Sequence, residues 1–273
     1  DIVSGVLASG LFKKPELTLF IDVGTNGEIV IGNQDWMTCA ACSAGPAFEG
    51  GGVRCGMRAA PGAIENFLYE PETKRHHLGV IGGVSPSGIC GSGLINVVAE
   101  LFRGGVINKQ GRFVEESSPA VREGPDGWEY LLCPSESASV DHDVVLTEID
   151  VENLIRAKGA MFSGYQTLVE AVGLEMRDLE RVIIAGGFGR SLNIENAITI
   201  GLLPFLPTER FTYIGNSSLT GATLAALSGA MWRLAYDIKQ KMTNFELSET
   251  PGYMDRYIAS QFLPHTNSAL FGL

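Results

Sequence analysis

Asp22 and Glu49 are carboxylates that stand beside glycines able to bring backbone close to a ligand, and the chemistry they suggest is anion handling. Asp22 lies near the end of a β-rich apolar run, Leu17 to Val23, which opens into Gly24-Thr25-Asn26-Gly27 before a second β-rich run from Glu28 to Ile31. The pattern predicts a hairpin, because Asn26-Gly27 tolerates the positive φ of a tight primed turn. Gly24 and Gly27 lack Cβ atoms and would leave backbone N–H groups facing an anion. Thr25 and Asn26 add side-chain donors, and the Asp22 carboxylate could reach a hydrated Mg2+. An ordinary hairpin stays open as the alternative. Glu49 sits in the glycine-rich stretch 43–62. Long irregular segments inside compact domains tend to be functional, so Glu49 is either a ligand-facing acid or a solvated one.

Three other stretches carry similar signals. Ser87-Gly88-Ile89-Cys90-Gly91-Ser92-Gly93 precedes an amphipathic helical pattern, so small residues would leave the helix N–H groups and the positive end of its dipole open to an anion. A plain glycine-rich helix start is the alternative. Arg181–Ala185 reads as a short buried strand running into Gly186-Gly187-Phe188-Gly189, at the carboxyl edge where α/β sheets place ligands. Phe211–Ile214 repeats the strand and polar turn with Gly215-Asn216-Ser217-Ser218, followed by a small-residue helix.

The elements that must position these residues follow from pattern. Asp1 to about Phe12 reads as a helix, and Trp36 to Ala41 as a third strand of a meander. Residues 63–84 read as two short strands, with His76 and His77 on the surface. The polar stretch 108–140 reads as an excursion or flap. Thr147-Glu148-Ile149-Asp150 forms a capping box for a helix running to Gly173, whose core face is Leu154, Ala157, Met161, Tyr165, Leu168 and Val172. That face turns Arg156, Lys158 and Gly159 sideways or outward, and a glycine inside a helix predicts close packing against its turn. The last thirty residues suggest a short strand at Phe245–Leu247, a helix near Met254–Gln261 and a loose tail.

Composition narrows the function classes. A chain of 273 residues, 45% apolar with 34 glycines, predicts a globular fold with many tight turns. A net charge of −11 argues against a nucleic-acid or membrane-surface binder, and no apolar run approaches the length of a bilayer span. The chain reads as cytoplasmic. It opens at Asp1 without Met, in a helical phrase, which predicts missing upstream sequence. The five cysteines include one C-x-x-C at Cys39 and Cys42. A zinc or iron–sulfur site competes here with small buried hydrophobes, and the absence of a second C-x-x-C favours the latter.

The order hairpin, long helix, strand and GG turn resembles the second half of the acetate kinase, sugar kinase, Hsp70 and actin superfamily of ATPases. The fold implied is α/β, a ribonuclease-H-like mixed sheet flanked by helices. The span from Asp22 to Gly186 is too short to hold the rest of a first half and a whole second half. Asp22 therefore resembles the second phosphate motif, and the first hairpin would lie upstream. The phrases DVGTNGEIVIGN, AGPAFEGGGVRCGMRAAPGAIE, GICGSGLI, NLIRAKGAMFSG, AGGFGRSLNIENAITIGLLP and GNSSLTGA narrow the resemblance to the C-terminal ATPase region of reductive activators of corrinoid proteins. By that resemblance residues 1–273 are the second half of an actin-like ATPase domain, variable at about 108–140, without the upstream half and the [2Fe–2S] ferredoxin-like domain. ATP and Mg2+ are the implied cofactors, a corrinoid protein the partner, a homodimer the assembly, and Co(II) to Co(I) reduction the ATP-driven reaction. Gly24, Thr25, Asn26 and Gly27 would hold phosphates. Asp22 would act through Mg2+ or orient water, with Glu49 a second water-positioning candidate. Arg156 and Lys158 would lie on the adenosine side, Gly186, Gly187 and Phe188 would back the nucleoside, and Asn216 and Ser217 would complete the site. Two alternatives remain. Cys42-Ser43-Ala44-Gly45-Pro46-Ala47-Phe48 is similar to the cluster-binding phrase of 2-hydroxyacyl-CoA dehydratase activators, and the domain could instead be a non-catalytic docking module.

Overall fold

Side-chain alternation along the hairpin divides the protein into two apolar layers. The computed structural model describes residues 1–187 and 192–272, beginning with helix α1 (Ile2–Ser9). Strands β1 (Thr18–Val23), β2 (Gly27–Gly32) and β3 (Met37–Cys42) follow as an antiparallel meander. Leu19, Ile21 and Val23 enter one buried cluster and Phe20 the other, as the two-residue period of a strand requires. The second layer is built against α1, the first against the long helix described below.

An insertion separates the meander from that helix. It contains β4 (Ala63–Glu70), β5 (Arg75–Val80), β6 (Gly88–Ile89) and α2 (Gly91–Arg103), with the small sheet ordered β5-β4-β6. Then β7 (Val121–Gly124), β8 (Gly127–Cys133) and β9 (Val144–Thr147) form an antiparallel sheet of their own. The predicted flap at 108–140 is therefore largely folded. Tyr130 and Leu132 of β8 are buried, and the polar Glu129 beside them is buried too, paired with Arg122 of β7. His76, expected on the surface, is half-buried: it stacks on Phe67 and hydrogen-bonds the Tyr130 hydroxyl at 3.0 Å and the Leu132 carbonyl at 2.9 Å.

Helix α3 (Glu148–Ala171) begins at the predicted capping box, in which the Thr147 hydroxyl accepts from the Asp150 amide and the Asp150 carboxylate accepts from the Thr147 amide. The chain returns through β10 (Arg181–Gly186), α4 (Ile194–Thr199), β11 (Phe211–Tyr213), α5 (Ser217–Leu227), α6 (Gly229–Lys241), β12 (Met242–Asn244) and α7 (Tyr253–Ala259). The central sheet runs β11-β10-β1-β2-β3-β12, with β10 parallel to both β1 and β11. This is the actin-like mixed α/β fold. The last strand sits at 242–244, a few residues before the predicted Phe245–Leu247, and the tail is packed: Leu263, His265 and Phe271 are buried.

Gly27 has a packing role that its turn chemistry hides. Neither Asn26 nor Gly27 has positive φ, so no primed turn forms; Gly27 pairs with Val23 and residues 24–26 make the connection. A Cβ at Gly27 would lie 2.0 Å from the Met161 sulfur and 2.7 Å from that of Cys42. The glycine lets α3 close on the hairpin. Gly27→Ala should therefore cost about 1–3 kcal/mol of stability through overpacking, read as a lower urea midpoint at unchanged slope. An unchanged midpoint would show that the seam has slack.

Candidate functional site

Asp22 is placed by the sheet and held by a helix start. It shares a face with Phe20 rather than with Val23, and that face meets the N-terminus of α5. Both the Ser217 and Ser218 hydroxyls donate to its Oδ2 atom, each at 3.1 Å. Asn216 caps α5 by accepting from the Leu219 amide at 2.9 Å, which fixes the two serines behind it. The carboxylate is thereby oriented with one oxygen engaged. The sequence places Ser218 in the polar turn but nominates only Asn216 and Ser217 there as site residues, although Ser218 adjoins Ser217 at the helix start.

Glu28 was also missed. It is the cross-strand partner of Asp22, so the two carboxylates share one face. Burial raises the Glu28 pKa, and the Asp22 charge adds to the effect. The strand register could have found it, since a hairpin with three connecting residues sets Asp22 opposite Glu28.

These residues line a cavity of 300 Å³ with Gly24, Thr25, Asn26, Gly186, Gly187 and Asn216. A second cavity, of 390 Å³, is lined by Phe48, Glu49, Met57, Arg58 and the start of α2 at Gly91 and Ser92. The two share Val23 and Gly187. The hairpin tip and the 43–62 loop are tied together across their junction. The Thr25 hydroxyl donates to Glu49 Oε2 at 3.3 Å, and the Gly45 amide donates to the Thr25 carbonyl at 2.9 Å. The Gly24 N–H, expected to face an anion, instead donates to the Asn26 carbonyl at 3.1 Å. Thr25 and Asn26 stand exposed at the tip.

Gly186 has φ 113°, and a Cβ there would lie 2.1 Å from the Val23 carbonyl oxygen. Only glycine lets the chain turn so close to β1. Gly187 is exposed, with no atom of the described residues beyond its chain neighbours within 4 Å of its Cβ direction, and it lines both cavities. Phe188, the expected nucleoside contact, lies outside the described residues.

Arg156 and Lys158 are not brought to either cavity. Arg156 projects outward and pairs with Glu152 one turn earlier on α3. Lys158, expected sideways or outward, is fully buried; its ammonium donates to the Phe262 carbonyl and, at 2.6 Å, to that of Pro264. Helix α3 is covered on nearly all sides, because α7 and the tail pack over the face that the sheet leaves bare. A Cβ at Gly159 would lie 2.6 Å from the Gln261 side chain, the close packing that its glycine implied.

The C-x-x-C does not chelate. Residues three apart on β3 face opposite layers, so Cys39 and Cys42 diverge. Cys42 is buried against Met161, its thiol pushed up to about 12 by burial, which suits packing rather than thiolate ligation. Among the described residues, no group of three or more His, Cys, Asp or Glu is placed to hold a metal ion. Among the described residues, no helix is long and apolar enough to cross a membrane.

Residues 16–272 match the family described as the C-terminal domain of RACo, the ASKHA domain. A curated relative, the corrinoid activation enzyme RamQ of Eubacterium limosum, is 36% identical over 91% of this chain and 43% of its own. A Co(II) methylated amine-specific corrinoid protein reductase of Methanosarcina barkeri is 28% identical over 89% of this chain and 45% of its own. The solved structure of a reductive activator for corrinoid, iron-sulfur protein superposes with a TM-score of 0.94 at 48% identity, covering 99% of this chain and 43% of that one. The chain thus spans less than half the length of the relatives it matches.

Lys158 makes the stability of this arrangement depend on pH. Burial lowers its pKa from 10.5 to about 7. Between those values the unfolded chain holds a proton that the folded one lacks, so stability rises with pH across that window and is insensitive to this group below it. Urea unfolding should gain up to about 1.4 kcal/mol per pH unit between neutrality and pH 10, and Lys158→Met should remove that slope. A slope that survives the substitution would assign it to other groups.

Proposed function

The chain belongs to the family of C-terminal ASKHA domains of RACo, and from that premise we propose that it is the nucleotide-binding second half of an ATP-dependent reductive activator. In this reading the whole cytoplasmic protein raises a Co(II) corrinoid protein to Co(I), its partner and substrate. A [2Fe–2S] domain upstream delivers the electron, and the assembly is a homodimer. The observation that carries the proposal is the oriented Asp22 carboxylate at the carboxyl edge of the sheet, set between the hairpin tip and the bare backbone of Gly187.

Each residue then has a part. Phosphates lie in the polar cavity against Thr25 and Asn26, and the nucleoside in the larger one against Gly187 and the start of α2. The donor set suits Mg2+, a hard cation that takes carboxylate oxygens and keeps several waters, and Asp22 and Glu28 are the carboxylates that would hold it. When bound, Mg2+ neutralises developing charge on the phosphates. Asp22, which lines the cavity, has one oxygen held by two serines and would use the other. Glu49, hydrogen-bonded by Thr25, holds the hairpin tip and can orient water. Phosphoryl transfer asks for positioning and charge rather than a nucleophile, and these residues supply both.

The test is calorimetric titration of the full-length protein with Mg-ATP, followed by ATP hydrolysis and Co(I) formation on a corrinoid protein. Wild type should bind and turn over. Asp22→Ala should lower turnover by about 10²–10³-fold. No Mg-ATP binding by the full-length protein would defeat the proposal and favour a docking module.

A further inference from the structure

Arg58 is the one cationic side chain that lines either cavity among the described residues. Its surroundings explain why a cation matters there. The polar cavity is lined by Asp1, Asp22 and Glu28, and the larger one by Glu49, within a chain of net charge −11. A polyphosphate entering this space meets carboxylates of its own sign, and an unscreened like charge at close range in a cleft opposes binding. Arg58 has the opposite sign and lines the larger cavity together with Gly187, which also lines the polar one, and the N-terminus of α2.

Arg58 is exposed, and two further observations bear on what it is free to bind. Its side chain makes no ion pair or hydrogen bond among the described residues, although Glu49 lines the same cavity. Arg54, one short loop earlier, is by contrast paired with Asp126 and hydrogen-bonded to it at 3.0 Å. The backbone carrying Arg58 is also rigidly mounted. The Met57 amide donates to the Ile89 carbonyl at 2.9 Å, and the Ile89 amide donates back to the Cys55 carbonyl at 2.7 Å. A Cβ at Gly56 would lie 2.1 Å from the Gly50 carbonyl oxygen, so the turn before Arg58 is closed tightly on itself. A fixed mount holding an unpartnered guanidinium over a cavity leaves its planar donor fork open to a bidentate anion.

Resting on the nucleotide reading above, we propose that Arg58 binds the phosphate chain of the nucleotide where it passes from one cavity to the other. It thereby makes the site selective for a nucleoside polyphosphate over a nucleoside. The start of α2, whose N-cap residue Cys90 makes no side-chain cap, adds backbone donors on the same side.

Affinities of the full-length protein for Mg-ATP, Mg-ADP and adenosine, measured by calorimetry for wild type, Arg58→Ala and Arg58→Lys, test this. Arg58→Ala should weaken both nucleotides by about 10–100-fold and leave adenosine unchanged, since a hydrogen bond to a charged group is lost. Arg58→Lys should recover part of the loss, because the charge returns without the planar fork. The wild-type affinity for Mg-ATP should fall as salt is raised, and that dependence should be weaker in Arg58→Ala. Equal losses for adenosine and ATP would make Arg58 a scaffold residue, and no loss at all would make it a solvated one; either overturns the inference while leaving the nucleotide reading intact. Wild type that binds no Mg-ATP would overturn both. Circular dichroism and thermal melting of the two variants confirm that any loss comes from a folded protein.

Discussion

The close passage of Gly186 beside Val23 is the constraint on which the site depends. A side chain at Gly186 would collide with the Val23 carbonyl, so only glycine lets β10 finish flush with β1 and turn away at once. With that passage in place, the ends of β1, β10 and β11 lie at one edge. The Gly186 amide reaches the Gly215 carbonyl at 3.1 Å, and the Tyr213 hydroxyl reaches the Gly186 carbonyl at 2.7 Å. These bonds set where α5 begins, and hence where Ser217 and Ser218 stand relative to Asp22. The carboxylate is thus positioned by a backbone clearance two strands away from the helix that holds it.

Sheet alternation then assigns tasks to neighbouring residues. Within the hairpin, odd-numbered positions pack under α3 and even-numbered ones face α1 and α5, so Asp22 and Glu28 emerge together while Gly27 stays inside. A one-residue slip would turn both carboxylates toward Met161 and bring Ile21 and Val23 to the face they leave. Packing against α3 therefore protects the chemistry: it makes the register that aims the acids the register that also fills the core.

Much of this was legible in the sequence because it rests on local patterns. The meander, the α3 capping box and the strand-to-turn units at Gly186 and Gly215 each carry their own signature. The resemblance of the long motifs to corrinoid activators agrees with the family match, and Asp22, Gly187 and Asn216 do meet at one cavity. What the sequence concealed is set by contacts distant along the chain. Lys158 looked solvent-facing because helical periodicity marks only one apolar stripe. The tail that buries its other face arrives a hundred residues later, and its carbonyls satisfy an ammonium that no nearby residue predicts. His76 misled in the same way, since its partners Tyr130 and Leu132 come from a sheet within the stretch read as a flap.

Gly27 shows how one residue type supports two arguments. Asn-Gly before a β-rich run is a strong turn signal, and here a hairpin does form, but its glycine makes room for a helix rather than a left-handed corner. The distinction alters what the hairpin can do. A primed turn would place two backbone amides at the tip. The three-residue connection instead spends the Gly24 amide inside the loop and the Thr25 hydroxyl on Glu49, and leaves the Asn26 side chain as the exposed donor. With few backbone donors at the tip, attraction for an anion must come from elsewhere along the cavities: from a metal held by the paired carboxylates, and from whatever cation stands across from them.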